Sequence, residues 1–312
     1  MRQMTQIKRM RGVALIMAIL VVALAATAAI AMASRQQFDV RRSANLLSME
    51  QGQLYQQGIE GWVMQILRRD RKSNDTDSKA DIWATALPPL PVDEGMIAGR
   101  VDDLQGLFNL NTLWHDGQVD ALALSRFKRL LMVTGVEQLS ASTVVDWIDS
   151  DINVTLPDGA EDDFYLGAQV PYRAANRLME SRSELLLLAR MSRADYQRIA
   201  PFVTALPTPT AINVNTAGKE VLRALADGIS DSDAATLIEA RGDKGFKSVQ
   251  EFLQQPVLAG RGVSANGLSV ASNYFSVSSR LRIGNIENGY TAMIFRNDNG
   301  DSSLVRRAQG EL

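Results

Sequence analysis

The chain has 312 residues and no cysteine, which excludes a disulfide framework and any thiolate-held zinc or iron–sulfur centre. Its formal net charge of −2 gives no overall electrostatic footprint for nucleic acid. In chain order, Arg2, Lys8, Arg9 and Arg11 precede Gly12, and Val13–Ala33 then runs without a charge. The residues of that run, at about 1.5 Å rise each, give roughly 31 Å of helix, enough to cross a bilayer. Basic residues ahead of the run hold the leader in the cytoplasm and predict export of everything that follows.

Two processing readings meet at this run. Ala31-Met32-Ala33-Ser34 offers the small residues of an ordinary signal-peptide cut. Arg11-Gly12-Val13-Ala14-Leu15-Ile16 instead resembles a prepilin-peptidase site, cut ahead of the apolar segment so that the mature chain keeps its hydrophobic helix. From Arg35 to Arg69 there is no proline, and Phe38, Leu46, Leu47, Leu54, Ile59, Trp62, Val63, Ile66 and Leu67 recur at helical spacing. The anchor is therefore expected to continue as one long helix that turns amphipathic outside the membrane.

The polar run Arg71–Ser78 predicts a loop, Pro88-Pro89-Leu90-Pro91 a second connection, and Met96–Val101 a short strand. Asp102–Leu113 predicts a turn followed by a compact apolar connection. A stripe of Leu122, Phe127, Leu130, Leu131 and Val133 predicts a helix closed by Gly135. Ser140 or Ser142 is placed to cap a helix carrying Val144, Val145, Trp147 and Ile148, and short helices follow at Ser183–Leu188 and Ala194–Val203. Beyond Pro207 and Pro209, Asn213 or Asn215 is expected to cap a helix through Leu225, Ser230 or Asp231 another through Arg241, with a third holding Val249 and Phe252. Strand signals return at Tyr274–Leu281 and Gly289–Phe295, with Asn288-Gly289 as a two-residue hairpin signal. Strands at both ends with helices between predict an α+β fold carrying an inserted α domain.

Two constellations could carry chemistry. Asp149-Ser150-Asp151-Ile152-Asn153 and Asp158–Asp163 concentrate carboxylates with few local bases. Oxygen clusters of this kind suit Ca²⁺. The opening matches an EF-hand loop, but Val154 takes the glycine position and Ala160 the twelfth, so the choice lies between an irregular two-armed site and a solvated acidic loop. The second constellation, Ile212–Phe252, resembles helix-hairpin-helix modules, whose Gly-apolar-Gly hairpin turns backbone amides to a phosphate. Here Ser230 replaces the second glycine, and Asp231 and Asp233 oppose a phosphate, so packing or protein contact is expected and no nucleic-acid binding. No catalytic set is visible: the single histidine, His115, has no cysteine nucleophile to serve and is expected in a loop or core, so no enzyme activity is expected.

The leader RGVALIMAIL, DLQGLFNLNTL at 103–113, WIDSD…GAEDDFY, YRAANRLMESRSELLLL at 172–188 and INVNTAGKEVL at 212–222 occur in one order along nearly the whole chain. Together they resemble the minor pseudopilin K family of the type II secretion system. The resemblance implies a pilin-like fold: a long transmembrane helix, a small antiparallel sheet and a large insertion of sterile-alpha-motif-like helical units. The expected segments are a leader at 1–12, the helix at 13–70, the first strand part of the head at 71–110, the inserted helical domain at 111–206, a second helical unit at 207–255, and C-terminal strands at 256–312.

It further implies a subunit at the tip of a periplasmic fibre that helps push folded proteins through an outer-membrane channel. Prepilin peptidase would cut between Gly12 and Val13, with methylation of the new amino terminus. Ordinary pilins carry a glutamate at the fifth mature position, which pairs with a neighbour's amino terminus; here that position is Met17. An unpaired carboxylate in a bilayer is costly, so its absence suits an end position. The resemblance also turns the acidic loop toward a structural Ca²⁺ site, with Asp149, Asp151, Glu161, Asp162 and Asp163 as ligands. Expected partners are the I- and J-type minor pseudopilins, with cargo or the channel as further contacts, and the chain is placed in the inner membrane with its head in the periplasm. The alternatives are a type IV minor pilin, which predicts a shorter head with cysteines near its end, and a membrane-anchored DNA receptor, which predicts a basic head and an intact Gly-x-Gly hairpin.

Overall fold

The computed structural model describes residues 2–93, 95–283 and 286–310. Met1 of the expected leader lies outside the described residues, as do the side chains of residues 2–11. Helix α1 spans Arg2–Ser73, and the chain divides into two units, residues 1–55 and residues 56–312. In the first unit the helix from Gly12 is long and apolar enough to cross a membrane, and Val13, Met17, Leu20 and Leu24 are exposed. Phe38, Leu46, Leu47 and Leu54 are exposed as well, so the apolar stripe becomes a buried face only from Ile59 onward.

In the second unit, Ile59, Val63 and Leu67 recur every four residues of α1 and are buried, the spacing that stacks side chains on one helix face. The sheet beside them has five antiparallel strands in sequential order: β1 (Leu87–Val92), β2 (Gly95–Asp103), β3 (Tyr274–Ile283), β4 (Ile286–Arg296) and β5 (Ser302–Gln309). Strand β1 corrects the sequence reading of Pro88–Pro91 as a connection. It is an edge strand, paired on one side only, where missing proline amides interrupt no second ladder. The hairpin signal at Asn288-Gly289 also misplaced its turn. Both residues sit inside β4, opposite Leu281 and Arg280, and the two strands stay paired as far as Ile283 opposite Ile286. Strand β5 was not foreseen; it follows a turn in which Asn297 and Asp301 bond and Gly300 takes φ 87°.

Residues 104–273 are inserted between β2 and β3. Their helices are α2 (Ala121–Thr134), α3 (Ala141–Ile148), α4 (Asp162–Leu166), α5 (Arg193–Ile199), α6 (Lys219–Arg223), α7 (Asp231–Arg241) and α8 (Val249–Leu253). Local signals set many ends. Asp120 caps α2 through Ala123 N at 2.8 Å, Gly135 closes it at φ 69°, and Ser140 caps α3. One hydrophobic core runs from Phe108 and Leu110 through Phe127, Trp147 and Leu185 to Leu222, Phe252 and Leu268. The expected division between 206 and 207 therefore passes through one core, and residues 104–110 and 256–273, read from sequence as part of the sheet segments, belong to the insert. The expected asparagine caps are corrected too: α6 is capped at Gly218 and ends at Arg223. Asn213 Nδ2 instead donates to Asp77 O, Asp103 Oδ2 and Ser272 Oγ, and Asn215 brackets Phe246 through both its main-chain groups.

A buried charge cluster ties the insert to the sheet. Carboxylate oxygens of Asp70, Asp77 and Asp81 lie within 4.8 Å of one another. The Arg296 guanidinium, 1 % exposed, bonds Asp70 at 3.1 Å, Asp77 at 2.6 Å and the Ser272 carbonyl at 2.9 Å, and stacks 4.7 Å over Phe275. Burial, followed by repulsion from Asp81 and Asp77, pushes Asp70 up to about 6 despite Arg296. Because Arg296 already supplies the cation, the cluster is a structural junction.

Candidate metal centre

Helix α3 is buried along its whole length and aims Asp146 and Asp149 into the acidic loop. Asp146 shapes the loop: its carboxylate accepts Thr155 N at 3.1 Å, and Thr143 Oγ1 donates to Asp158 O at 2.8 Å. Gly159 is required by this close approach, since a Cβ there would stand 2.2 Å from Asp146 Oδ2. The loop thus folds back so that Asp149, at the C-terminal end of α3, faces the arm bearing Glu161, the residue before α4.

Asp149 and Glu161 are each only 3 % exposed. Among the described residues, Asp149 Oδ1, both carboxylate oxygens of Glu161 and Asn176 Oδ1 are buried without a hydrogen-bond partner. Asn176 is fixed from the other side: its Nδ2 donates to Asp151 O at 2.9 Å, and its φ of 45° places it in the left-handed region that asparagine tolerates. Burial pushes Asp149 up to about 6, with Asp151 and Asp146 adding repulsion. Burial also pushes Glu161 up to about 7, followed by repulsion from Asp146, Asp149, Asp151 and Asp162. Asp146 is raised by burial as well.

The remaining expected ligands are placed differently. Asp151 is exposed at the rim, its Oδ1 accepting Asn153 N at 2.7 Å. Asp162 accepts Ala174 N at 3.0 Å and lies 3.6 Å from Arg173. Asp163 is exposed on the first turn of α4. Asn176 was missed from sequence; it stands in the Tyr172–Leu188 run, and its amide gives no charge to notice. An all-oxygen donor set of this kind fits a hard cation such as Ca²⁺ better than a metal that prefers nitrogen or sulfur. Behind it, Tyr165 packs against Trp147 and Tyr172 with ring centroids 5.3 and 5.2 Å apart.

The second constellation is closed. Ser230 and Asp233 form a capping box at the start of α7. Arg261 bonds the Gly228 carbonyl and holds Asp233 at 2.9 Å, while Lys219 and Arg223 pair with Asp231. The Ser230 and Asp233 amides and the cations Lys219, Arg223 and Arg261 are thus engaged within the chain. His115 lies in a two-residue ladder with Gln118.

The sequence profile described as "Type II secretion system (T2SS), protein K" matches residues 106–208, and a second profile of the same description matches residues 212–277. The chain is 34 % identical to type II secretion system protein K of Pseudomonas aeruginosa, over 96 % of this chain and 93 % of that protein. The chain belongs to the type II secretion system protein K family. A second member, from Aeromonas hydrophila, is 30 % identical over 98 % of this chain and 99 % of its own length. The fold is similar to a chain of the solved GspK-GspI-GspJ complex of enterotoxigenic Escherichia coli, with a TM-score of 0.77 and 28 % identity, covering 87 % of this chain and all of that one. The mixed helix-and-sheet fold with a long apolar N-terminal helix is thus that of protein K chains.

Proposed function

We propose that this chain is a non-enzymatic minor pseudopilin at the tip of the type II secretion fibre, supporting export of folded proteins across the outer membrane. The observation that carries the tip reading is the exposed apolar helix from Val13 to Ala33, which bears no carboxylate and has Met17 at the fifth position after Gly12. Such a helix packs on other subunits but offers no buried acid to a neighbour's amino terminus. The helix holds the chain in the inner membrane until assembly, with the head in the periplasm. The I- and J-type minor pseudopilins are the partners, a reading supported by the solved complex of the similar chain. In the head, Asp149, Glu161 and Asn176 hold a structural Ca²⁺, with Asp151 at its rim. Its role is to neutralise the carboxylates and order the loop.

Gly12→Phe tests the processing step. The variant is expected to accumulate as an uncut precursor by mass spectrometry and to fail to restore secretion in a strain lacking the native gene. Normal cutting before Val13 in that variant would sink the proposed site.

A further inference from the structure

Residues 56–73 of α1 lie against one face of the sheet, Gln56 and Glu60 bonding Ser279 and Arg307; the opposite face and the insert enclose a groove of about 600 Å³. The register defines its floor. Arg100 stands opposite Ser278 and Asp102 opposite Ser276, Ser278 faces Thr291, and Ser276 faces Met293, which in turn stands opposite Arg306. Val101, Val277 and Ala292 alternate with these and point to the α1 side.

Cationic groups reach the groove from four separate segments: Lys79 after α1, Arg100 on β2, Arg182 in the insert and Arg306 on β5. Its two carboxylates are already engaged. Asp102 pairs with Arg100 at 2.8 Å, and Asp103 accepts Thr216 Oγ1 at 2.5 Å, Ser272 Oγ at 2.7 Å and Asn213 Nδ2 at 3.0 Å. Lys79 makes no ion pair among the described residues. Arg306 donates to the Glu180 carbonyl, yet its Nε is buried without a partner. Burial, with repulsion from the nearby Arg241 second, holds the Lys79 ammonium below the usual lysine value.

We propose that this groove receives an acidic, extended segment of a partner protein. Among the described lining residues, Lys79 and Arg306 outnumber the one carboxylate left outside the Arg100–Asp102 pair, Asp103, so carboxylate side chains complement the groove. Its volume lies within the range of about 300–1,000 Å³ typical of specific ligand sites, far more than one small anion fills. Leu104, Leu107 and Met293 supply apolar contact for the residues between the acids. The inference stands apart from the metal centre and from the fibre-tip reading.

The test uses the full chain in detergent micelles and a fluorescein-labelled peptide of alternating glutamate and leucine, followed by fluorescence anisotropy. Saturable binding is expected, with the glutamine-for-glutamate peptide and the variants Lys79→Glu and Arg306→Gln each weakening it about tenfold or more, at an unchanged melting temperature. Equal binding of the two peptides, no binding, or undiminished binding by both variants overturns the proposal. Complete displacement by inorganic phosphate assigns the groove to a small anion and overturns it too.

Discussion

Replacing Glu161 by glutamine should make the metal-free protein more stable and deprive it of its response to calcium. Both Glu161 oxygens are buried without a donor, and the carboxyl is pushed from the ordinary 4.5 up to about 7 by burial and by Asp146, Asp149, Asp151 and Asp162. At 1.36 kcal/mol per tenfold, that rise corresponds to about 3 kcal/mol carried by the charged form in the folded state. Water at the rim, where Asp151 is exposed, screens part of it and leaves about 2 kcal/mol. Glu161→Gln keeps the shape, removes the charge, and gives Asp149 a neighbouring donor. In chelator at pH 8 the variant should therefore be more stable than the parent by about 2 kcal/mol; at pH 4, where Glu161 is protonated in both states, the advantage disappears. Excess calcium should raise the midpoint of the parent and leave that of the variant nearly unmoved. Urea denaturation of the full chain, read by tryptophan fluorescence, measures all of these. A variant less stable than the parent in chelator, or one that gains as much from calcium, would refute the reasoning.

Two further perturbations follow from the same geometry. In chelator, stability of the parent should fall as pH rises from about 4 through about 7: Asp149 and Glu161 hold protons more tightly when folded, so the folded state binds more protons across that window and the slope is negative. Calcium should flatten the fall, and a melting-temperature series across pH, with and without metal, checks it; a flat profile in chelator contradicts the site. At the buried junction, Arg296→Met leaves Asp70, Asp77 and Asp81 without their cation and should lower stability by about 3–5 kcal/mol. Asp70→Asn, which removes one of the crowded charges, should cost far less, and chemical denaturation of the pair of variants decides whether Arg296 acts as this junction's counter-ion.

What the sequence revealed follows the range over which each interaction acts. The long helix and the Gly135 cap of α2 depend on neighbours within one or two turns and were legible, and the caps of α3 and α7 were narrowed to Ser140 or Ser142 and to Ser230 or Asp231, of which Ser140 and Ser230 serve. The insertion of a helical body between strands was legible as well, because strand signals stand on both sides of it. Long-range pairing was not. Arg296 meets Asp70 and Asp77 across more than two hundred residues, and nothing near any of them in the chain announces the meeting. Asn213 and Asn215 looked like caps because asparagine commonly caps; tertiary contacts with Asp103, Ser272 and Phe246 override that preference. At the candidate metal centre the carboxylate density was visible, but charge density alone does not say which oxygens are buried. Folding leaves Asp163 exposed, engages Asp162 with Ala174, and ties Asn176, from a different segment, to the Asp151 carbonyl.

The fibre-tip assignment is tested most directly by immunogold electron microscopy of pseudopilus fibres carrying this chain with an epitope in its head. Gold confined to one end of each fibre is the expected result, since a subunit with Met17 offers no acid for another amino terminus to dock on. Gold distributed along the shaft would contradict the assignment and make this chain a repeating subunit.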